Sequence, residues 1–316
     1  MSFPPPTRIP TNGIKLSVHQ AGPKDGVPVL LLHGWPELAR SWQHQMAALA
    51  DAGFWVIAPD LRGFGASDCP QEVEAYGIDI LLADMTGLLD ALDIKKAIWV
   101  GHDWGGFISW PAALLVPERV AGLVGVNTPH SPRAPEDPIA LFRHFFGEDN
   151  YIVRFQELGL AEAAFTGRET DFFDFIFGKP PSKPKASTPP AATHFLKRFA
   201  KFTGADAATL VMPKSERKIY AATYALTGFT SGINYYRNLT ANWQRMKGVD
   251  YTIHQPALMI GAELDLFLPP KFIDGMEERI SDLETHIING IGHWTQWEAP
   301  EELSRVMVNW LLRRFG

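Results

Sequence analysis

Val100-Gly101-His102-Asp103-Trp104-Gly105-Gly106 decides how this chain is read. The apolar run Ala97-Ile98-Trp99-Val100 leads into it with the texture of a buried strand, and an apolar helical stretch follows. A strand that runs through small-x-residue-x-small into a helix is the setting of a nucleophile elbow, in which flanking glycines let the backbone strain into a sharp turn. Such a turn lifts its middle residue above the C-terminal edge of a parallel sheet, where ligands bind in open α/β folds. Here that residue is Asp103, and no G-x-S-x-G stands elsewhere in the chain. The plain alternative is an ordinary strand-to-helix turn capped by Asp103. His102 precedes Asp103 on the strand and so points to the opposite face, which marks it as structural rather than as a base.

Outward from the elbow, apolar runs alternate with helical patterns. Val29-Leu30-Leu31-Leu32 is continuous, as expected of a strand covered on both faces, and it leads into His33-Gly34-Trp35-Pro36. Ser41 to Ala50 and the series Leu82, Met85, Leu89 and Leu92 have helical spacing, with the strand Phe54 to Ala58 between them. Leu123 to Val126, Ala257 to Ile260 and Thr285 to Ile288 read as further strands. A closing helix from Pro300 carries the stripe Leu303, Met307, Trp310 and Leu311. The alternation predicts a mostly parallel, twisted sheet flanked by helices. From Pro129 onward the texture is helical and aromatic, which divides the chain into a core at 1–128 and 246–316 and a helical cap at 129–245. Within the cap, Gly178 to Pro190 reads as a solvated surface loop. The cluster Phe172, Phe173, Phe175 and Phe177 reads as cap core in preference to a tunnel lining. Pro111 falls inside the helix after the elbow, where loss of a backbone bond predicts a kink.

Composition removes several classes of function. The 316 residues carry a net charge of −6, which disfavours a nucleic-acid backbone or an anionic membrane surface as partner. Hydrophobic residues make up 46%, enough for a sizeable core. Cys69 is the one cysteine, so neither an intrachain disulfide nor a cysteine-based zinc site can form. The Pro-rich start lacks the apolar segment of a secretory signal, and the uncharged stretch Trp104 to Pro117 is too short to span a bilayer. A cytoplasmic location is the expectation. Neither H-E-x-x-H, nor Walker A, nor a complete G-x-G-x-x-G occurs, so no metal and no nucleotide cofactor is expected. Monomer and homodimer both stay open.

Two further residues complete a chemical set. Asp265 follows the strand ending at Ile260, and His293 follows the last strand, in Ile291-Gly292-His293-Trp294. The order nucleophile, acid, histidine is that of α/β hydrolases, each member lying beyond a strand's C-terminal end. A carboxylate attacking an acyl group would yield a reactive anhydride, whereas displacement at saturated carbon yields an ordinary alkyl ester. Asp103 therefore points to a leaving group on sp³ carbon. His293 then serves as general base for hydrolysing that ester, with Asp265 holding its tautomer. The backbone N–H groups of Trp35 and Trp104 are the expected oxyanion hole.

These segments together, His33 to Glu37, Asp60-Leu61-Arg62-Gly63-Phe64-Gly65-Ala66-Ser67-Asp68, Gly101 to Gly106 and Gly292 to Gln296, resemble the epoxide hydrolases of the α/β-hydrolase fold over nearly the whole chain. The resemblance implies a cap carrying two tyrosines that protonate the epoxide oxygen, a small-molecule epoxide as substrate, no cofactor and a detoxifying role. Tyr151-Ile152-Val153-Arg154-Phe155 resembles the surroundings of the first tyrosine, and Asn234-Tyr235-Tyr236-Arg237 those of the second, at Tyr236. Spacing alone does not choose among Tyr151, Tyr220, Tyr224, Tyr235 and Tyr236, and Tyr235 is the closest competitor. The same motifs are shared with haloalkane dehalogenases, whose halide leaves without a proton. Against that alternative, Trp35 stands where many of them carry Asn, and Trp104 where fluoroacetate dehalogenases place Arg. A non-catalytic ligand-binding relative ranks lower, since all three triad candidates are present.

Overall fold

The apolar run at 29–32 folds as an inner strand of an eight-stranded sheet. The computed structural model describes residues 3–180 and 193–316. In chain order the strands are β1 (Thr7–Thr11), β2 (Ile14–Ala21), β3 (Pro28–Leu32), β4 (Trp55–Pro59), β5 (Ala97–His102), β6 (Val120–Val126), β7 (Ala257–Ala262) and β8 (Leu283–Ile288). They lie side by side as β1-β2-β4-β3-β5-β6-β7-β8; β2 runs antiparallel to β1 and β4, and the other pairs are parallel.

Alternation along β3 shows why its sequence is apolar throughout. Val29 and Leu31 pack with Trp42, with Met46 and Leu49 of α1 (Gln43–Asp51), and with the closing helix (Pro300–Phe315), which contributes Leu303, Met307 and Trp310. Leu30 and Leu32 face the other way, toward Leu81, Met85 and Leu88 of α2 (Ile78–Ala91) and Ile108 of α3 (Trp104–Leu115). A helix layer on each side leaves no position on the strand for a polar side chain. Helix α3 continues through Pro111 as one element.

The hairpin β1–β2 went unread in the sequence, hidden by the prolines around it. Its signal was Asn12-Gly13, which turns the chain with φ of 41° and 78° at the two central residues, the backbone that a tight hairpin demands.

Between β6 and β7 the described residues form eight helices: α4 (Pro138–Phe146), α5 (Tyr151–Arg154), α6 (Leu160–Phe165), α7 (Glu169–Ile176), α8 (Phe195–Ala200), α9 (Lys214–Thr227), α10 (Thr230–Arg237) and α11 (Leu239–Arg245). Phe172, Phe173 and Phe177 are fully buried among other cap aromatics, whereas Phe175 is half-buried at a cavity mouth. Of the segment read as a solvated loop, residues 181–190 lie outside the described residues. Helix α10 is fastened to the core by side chains: the Tyr235 hydroxyl donates to the Arg62 carbonyl (2.8 Å), Asn234 Nδ2 to the Gln71 carbonyl (3.1 Å) and Asn238 Nδ2 to the Val73 carbonyl (2.6 Å). A Cβ at Gly232 would lie 2.7 Å from the Trp35 indole, so glycine is what lets this helix settle onto the core. No helix among the described residues is long and apolar enough to cross a membrane.

Candidate active site

Asp103 sits at the junction of β5 and α3 with φ 49° and ψ −118°, a conformation that strains any residue with a Cβ. Its surroundings over-determine it. The Asp103 carbonyl accepts hydrogen bonds from the Thr128 hydroxyl (2.9 Å), Gly106 N–H (3.0 Å) and Phe107 N–H (3.2 Å). The helix starts tight against β3, since a Cβ at Gly105 would fall 2.0 Å from the Leu32 carbonyl oxygen. This close approach is what the glycine after Trp104 provides.

The Asp103 side chain turns into the cap–core interface and is buried. Its Oδ1 accepts from the Trp35 backbone N–H at 2.8 Å, and the Trp104 N–H also faces the carboxylate. Burial pushes the carboxyl above its ordinary range, against the opposing pull of His293, His102 and these two N–H groups. Both N–H donors named from the sequence thus address the same carboxylate.

His293 Nε2 stands 3.8 Å from Asp103 Oδ2, and its Nδ1 donates to Asp265 Oδ2 at 2.8 Å. Asp265 is held on all sides: its Oδ1 accepts from the Phe267 and Leu268 N–H groups (2.8 and 2.9 Å), and its Oδ2 also accepts from Asn127 Nδ2 (2.7 Å). Burial disfavours the charged carboxylate, yet His293 and these donors outweigh it and hold Asp265 below its ordinary range. For His293 burial again opposes charge, but Asp265, and after it Asp103, raise the imidazole to about 9. The resting site therefore keeps a proton on His293 at neutral pH.

Asn127 was not singled out in the sequence. It follows β6 at φ 61° and accepts from the Thr295 hydroxyl (2.7 Å), which orients its amide toward Asp265. Glu37 was quoted in its motif without a role; it is fully buried and joins the Gly34 N–H (2.8 Å) to His102 (2.7 Å).

Asp103, His293, Trp35, Tyr151 and Tyr236 line one small cavity. It shares Ile176, Phe195, Phe267, His293 and Trp294 with a larger cleft that adjoins it. Tyr151 and Tyr236 meet edge to face with ring centroids 5.5 Å apart. Burial and the Asp103 charge push both phenols above their ordinary range, which keeps them protonated as donors. The other cap tyrosines face elsewhere: Tyr235 bonds the Arg62 carbonyl, Tyr220 pairs with Ser41 (2.7 Å), and the buried Tyr224 hydroxyl has no partner among the described residues.

Residues 27–300 match the alpha/beta hydrolase fold family. Epoxide hydrolase A of Mycobacterium tuberculosis is 39% identical over 98% of each chain. The chain belongs to the epoxide hydrolase family of the α/β hydrolase fold. Within that family, the crystal structure of epoxide hydrolase A from Mycobacterium thermoresistibile is 38% identical and superposes with a TM-score of 0.89 over 98% of each chain. Bifunctional epoxide hydrolase 2 of Sus scrofa is 36% identical over 95% of this chain, which spans about half, 53%, of that longer epoxide hydrolase.

Proposed function

We propose that the protein hydrolyses an epoxide to a vicinal diol through an alkyl ester on Asp103. The observation that carries this reading is one cavity holding a carboxylate on a strained turn, an imidazole beside it and two protonated phenols. Asp103 Oδ attacks an epoxide carbon, the C–O bond breaks with its electron pair going to oxygen, and that oxygen takes a proton from Tyr151 or Tyr236. The tyrosinate left behind recovers a proton from within the same cavity, where His293 carries one in the resting state. Water then adds to the ester carbonyl and gives a proton to neutral His293. The oxyanion forming on Asp103 meets the Trp35 and Trp104 N–H groups, the diol leaves with the proton from His293, and the proton left on the new Asp103 carboxyl passes to His293, which restores the resting pair.

A halide needs no proton, so two phenols over the nucleophile would have no task in a dehalogenase. Incubating the protein with styrene oxide and with 1-bromobutane separates the two: diol should form from the first, with no bromide released from the second. Bromide release with an inert epoxide would overturn the proposal.

The phenols are expected to act on ring opening alone. Tyr151→Phe and Tyr236→Phe should each slow formation of the alkyl-enzyme by on the order of 10²-fold, with hydrolysis of the ester much less affected, as rapid-quench kinetics would resolve. Tyr235→Phe serves as the comparison. It removes a hydrogen bond between cap and core, so it should lower stability by about 1 kcal/mol and leave the ring-opening rate within a few-fold.

A further inference from the structure

Glu298 ends the short helix Thr295–Glu298 and folds back onto the loop that carries His293. Its Oε2 accepts from the Gly292 N–H at 2.8 Å and its Oε1 from the Trp294 N–H at 3.0 Å, so the two bonds straddle His293. Capping the helix accounts for the bond to Trp294 alone; the other reaches a peptide that precedes the histidine. On its carbonyl side Gly292 is held more loosely, with Asn127 Nδ2 and the Thr295 hydroxyl each 3.4 Å away. A Cβ at Gly292 would lie 2.8 Å from Pro180 Cγ, so the cap leaves the loop no room on that side.

We propose that Glu298 is a positioning residue for the second half-reaction: its carboxylate fixes the backbone on both sides of His293 and thereby aims the imidazole at the water that cleaves the alkyl ester. The inference rests on Asp103 being the nucleophile and His293 the base. Glu298 does not line the cavity and acts through the loop. Burial holds its carboxyl above the ordinary range, against the two N–H groups and His293. Ionised Glu298 therefore weakens the fold at neutral pH, and what it supplies is geometry. The two half-reactions make unequal demands on that geometry. In ring opening His293 acts on Asp103 through its charge, whose effect falls off only as the inverse of distance. Ester hydrolysis needs the ring nitrogen within hydrogen-bonding reach of one water, so a small displacement of the loop penalises that step alone.

Rapid-quench single turnovers read the two steps apart. Glu298→Gln keeps one acceptor oxygen and sets an amide N–H against a backbone N–H. Its ester hydrolysis should slow on the order of 10-fold, with alkyl-enzyme formation within about three-fold of wild type. Glu298→Asp keeps the charge but draws the carboxylate back by one methylene; hydrolysis slowed there as well, by about five-fold, separates reach from charge. The proton NMR signal of His293 Nδ1–H, bonded to Asp265 at 2.8 Å, should move upfield in both variants. Unchanged hydrolysis in folded Glu298→Gln, equal slowing of both steps, or slowed hydrolysis with that signal unmoved overturns the proposal. If Glu298→Gln does not fold, Glu298→Asp decides by the same criteria. Should neither fold, hydrogen exchange of the wild type decides: protected Gly292 and Trp294 amides support the clamp, and freely exchanging ones overturn it. Failure of the Asp103 reading is distinguishable, because no alkyl-enzyme would then form even in the wild type.

Discussion

Asp103→Ala abolishes diol formation, with kcat falling on the order of 10⁴-fold or more, because Asp103 is the one carboxylate among the described residues that line the cavity. The loss is catalytic and not structural. A carboxyl whose proton affinity rises on folding destabilises the fold at every pH above its unfolded value, so its removal leaves Tm unchanged or higher at neutral pH. The hydrogen bond lost from Trp35 N–H is the opposing contribution, and the strain of the turn is unchanged because alanine also carries a Cβ. Circular dichroism melts beside steady-state assays test both halves, and a variant that has lost activity by unfolding would show as a depressed Tm. A label experiment examines the same residue without mutation. In a single turnover in heavy-oxygen water, the label enters the Asp103 carboxylate and the diol stays unlabelled, because water attacks the ester carbonyl. Label in the diol alone would mean direct attack of water on the epoxide.

What the chain discloses unaided follows from how locally each feature is encoded. The inner strands are legible because helices on both faces make them continuously apolar, as at Val29 to Leu32. The elbow is legible because its strain needs glycines at fixed positions around Asp103. Asn127 is not, since its partner Asp265 lies 138 residues away and one asparagine after a strand has no pattern around it. Glu37 is hidden in the same way, with partners 65 and 259 residues distant. The tyrosines show a third limit. Tyr235 and Tyr236 are neighbours on α10, separated by about 100° around the helix. Which of them enters the cavity depends on how α10 is rotated over the core, and that is set by Gly232 against Trp35 and by the Tyr235 bond to Arg62.

His293→Gln traps the intermediate. Glutamine still donates to Asp265 but takes no proton, so water is not activated and the alkyl-enzyme accumulates. Its hydrolysis slows on the order of 10⁴-fold. Intact-protein mass spectrometry should show one added epoxide per chain, and peptide mapping should place it on Asp103. The charge of His293 also matters for the first step, because the imidazolium is the leading influence that opposes the burial of Asp103. Without it Asp103 ionises at higher pH, so alkylation of the variant is best observed well above neutrality. The wild type carries the complementary signature. In the free enzyme His293 titrates at about 9, held there in part by the Asp103 charge. Esterification removes that charge, the imidazole releases its proton at lower pH, and a neutral base becomes available once it is needed. The acidic limb of ester hydrolysis, measured after rapid mixing, should therefore lie below the midpoint that NMR finds for His293 in the free enzyme. Coincidence of the two would mean that Asp103 exerts no hold on the base. A variant that goes on forming diol at close to the wild-type rate without accumulating ester would put the base elsewhere.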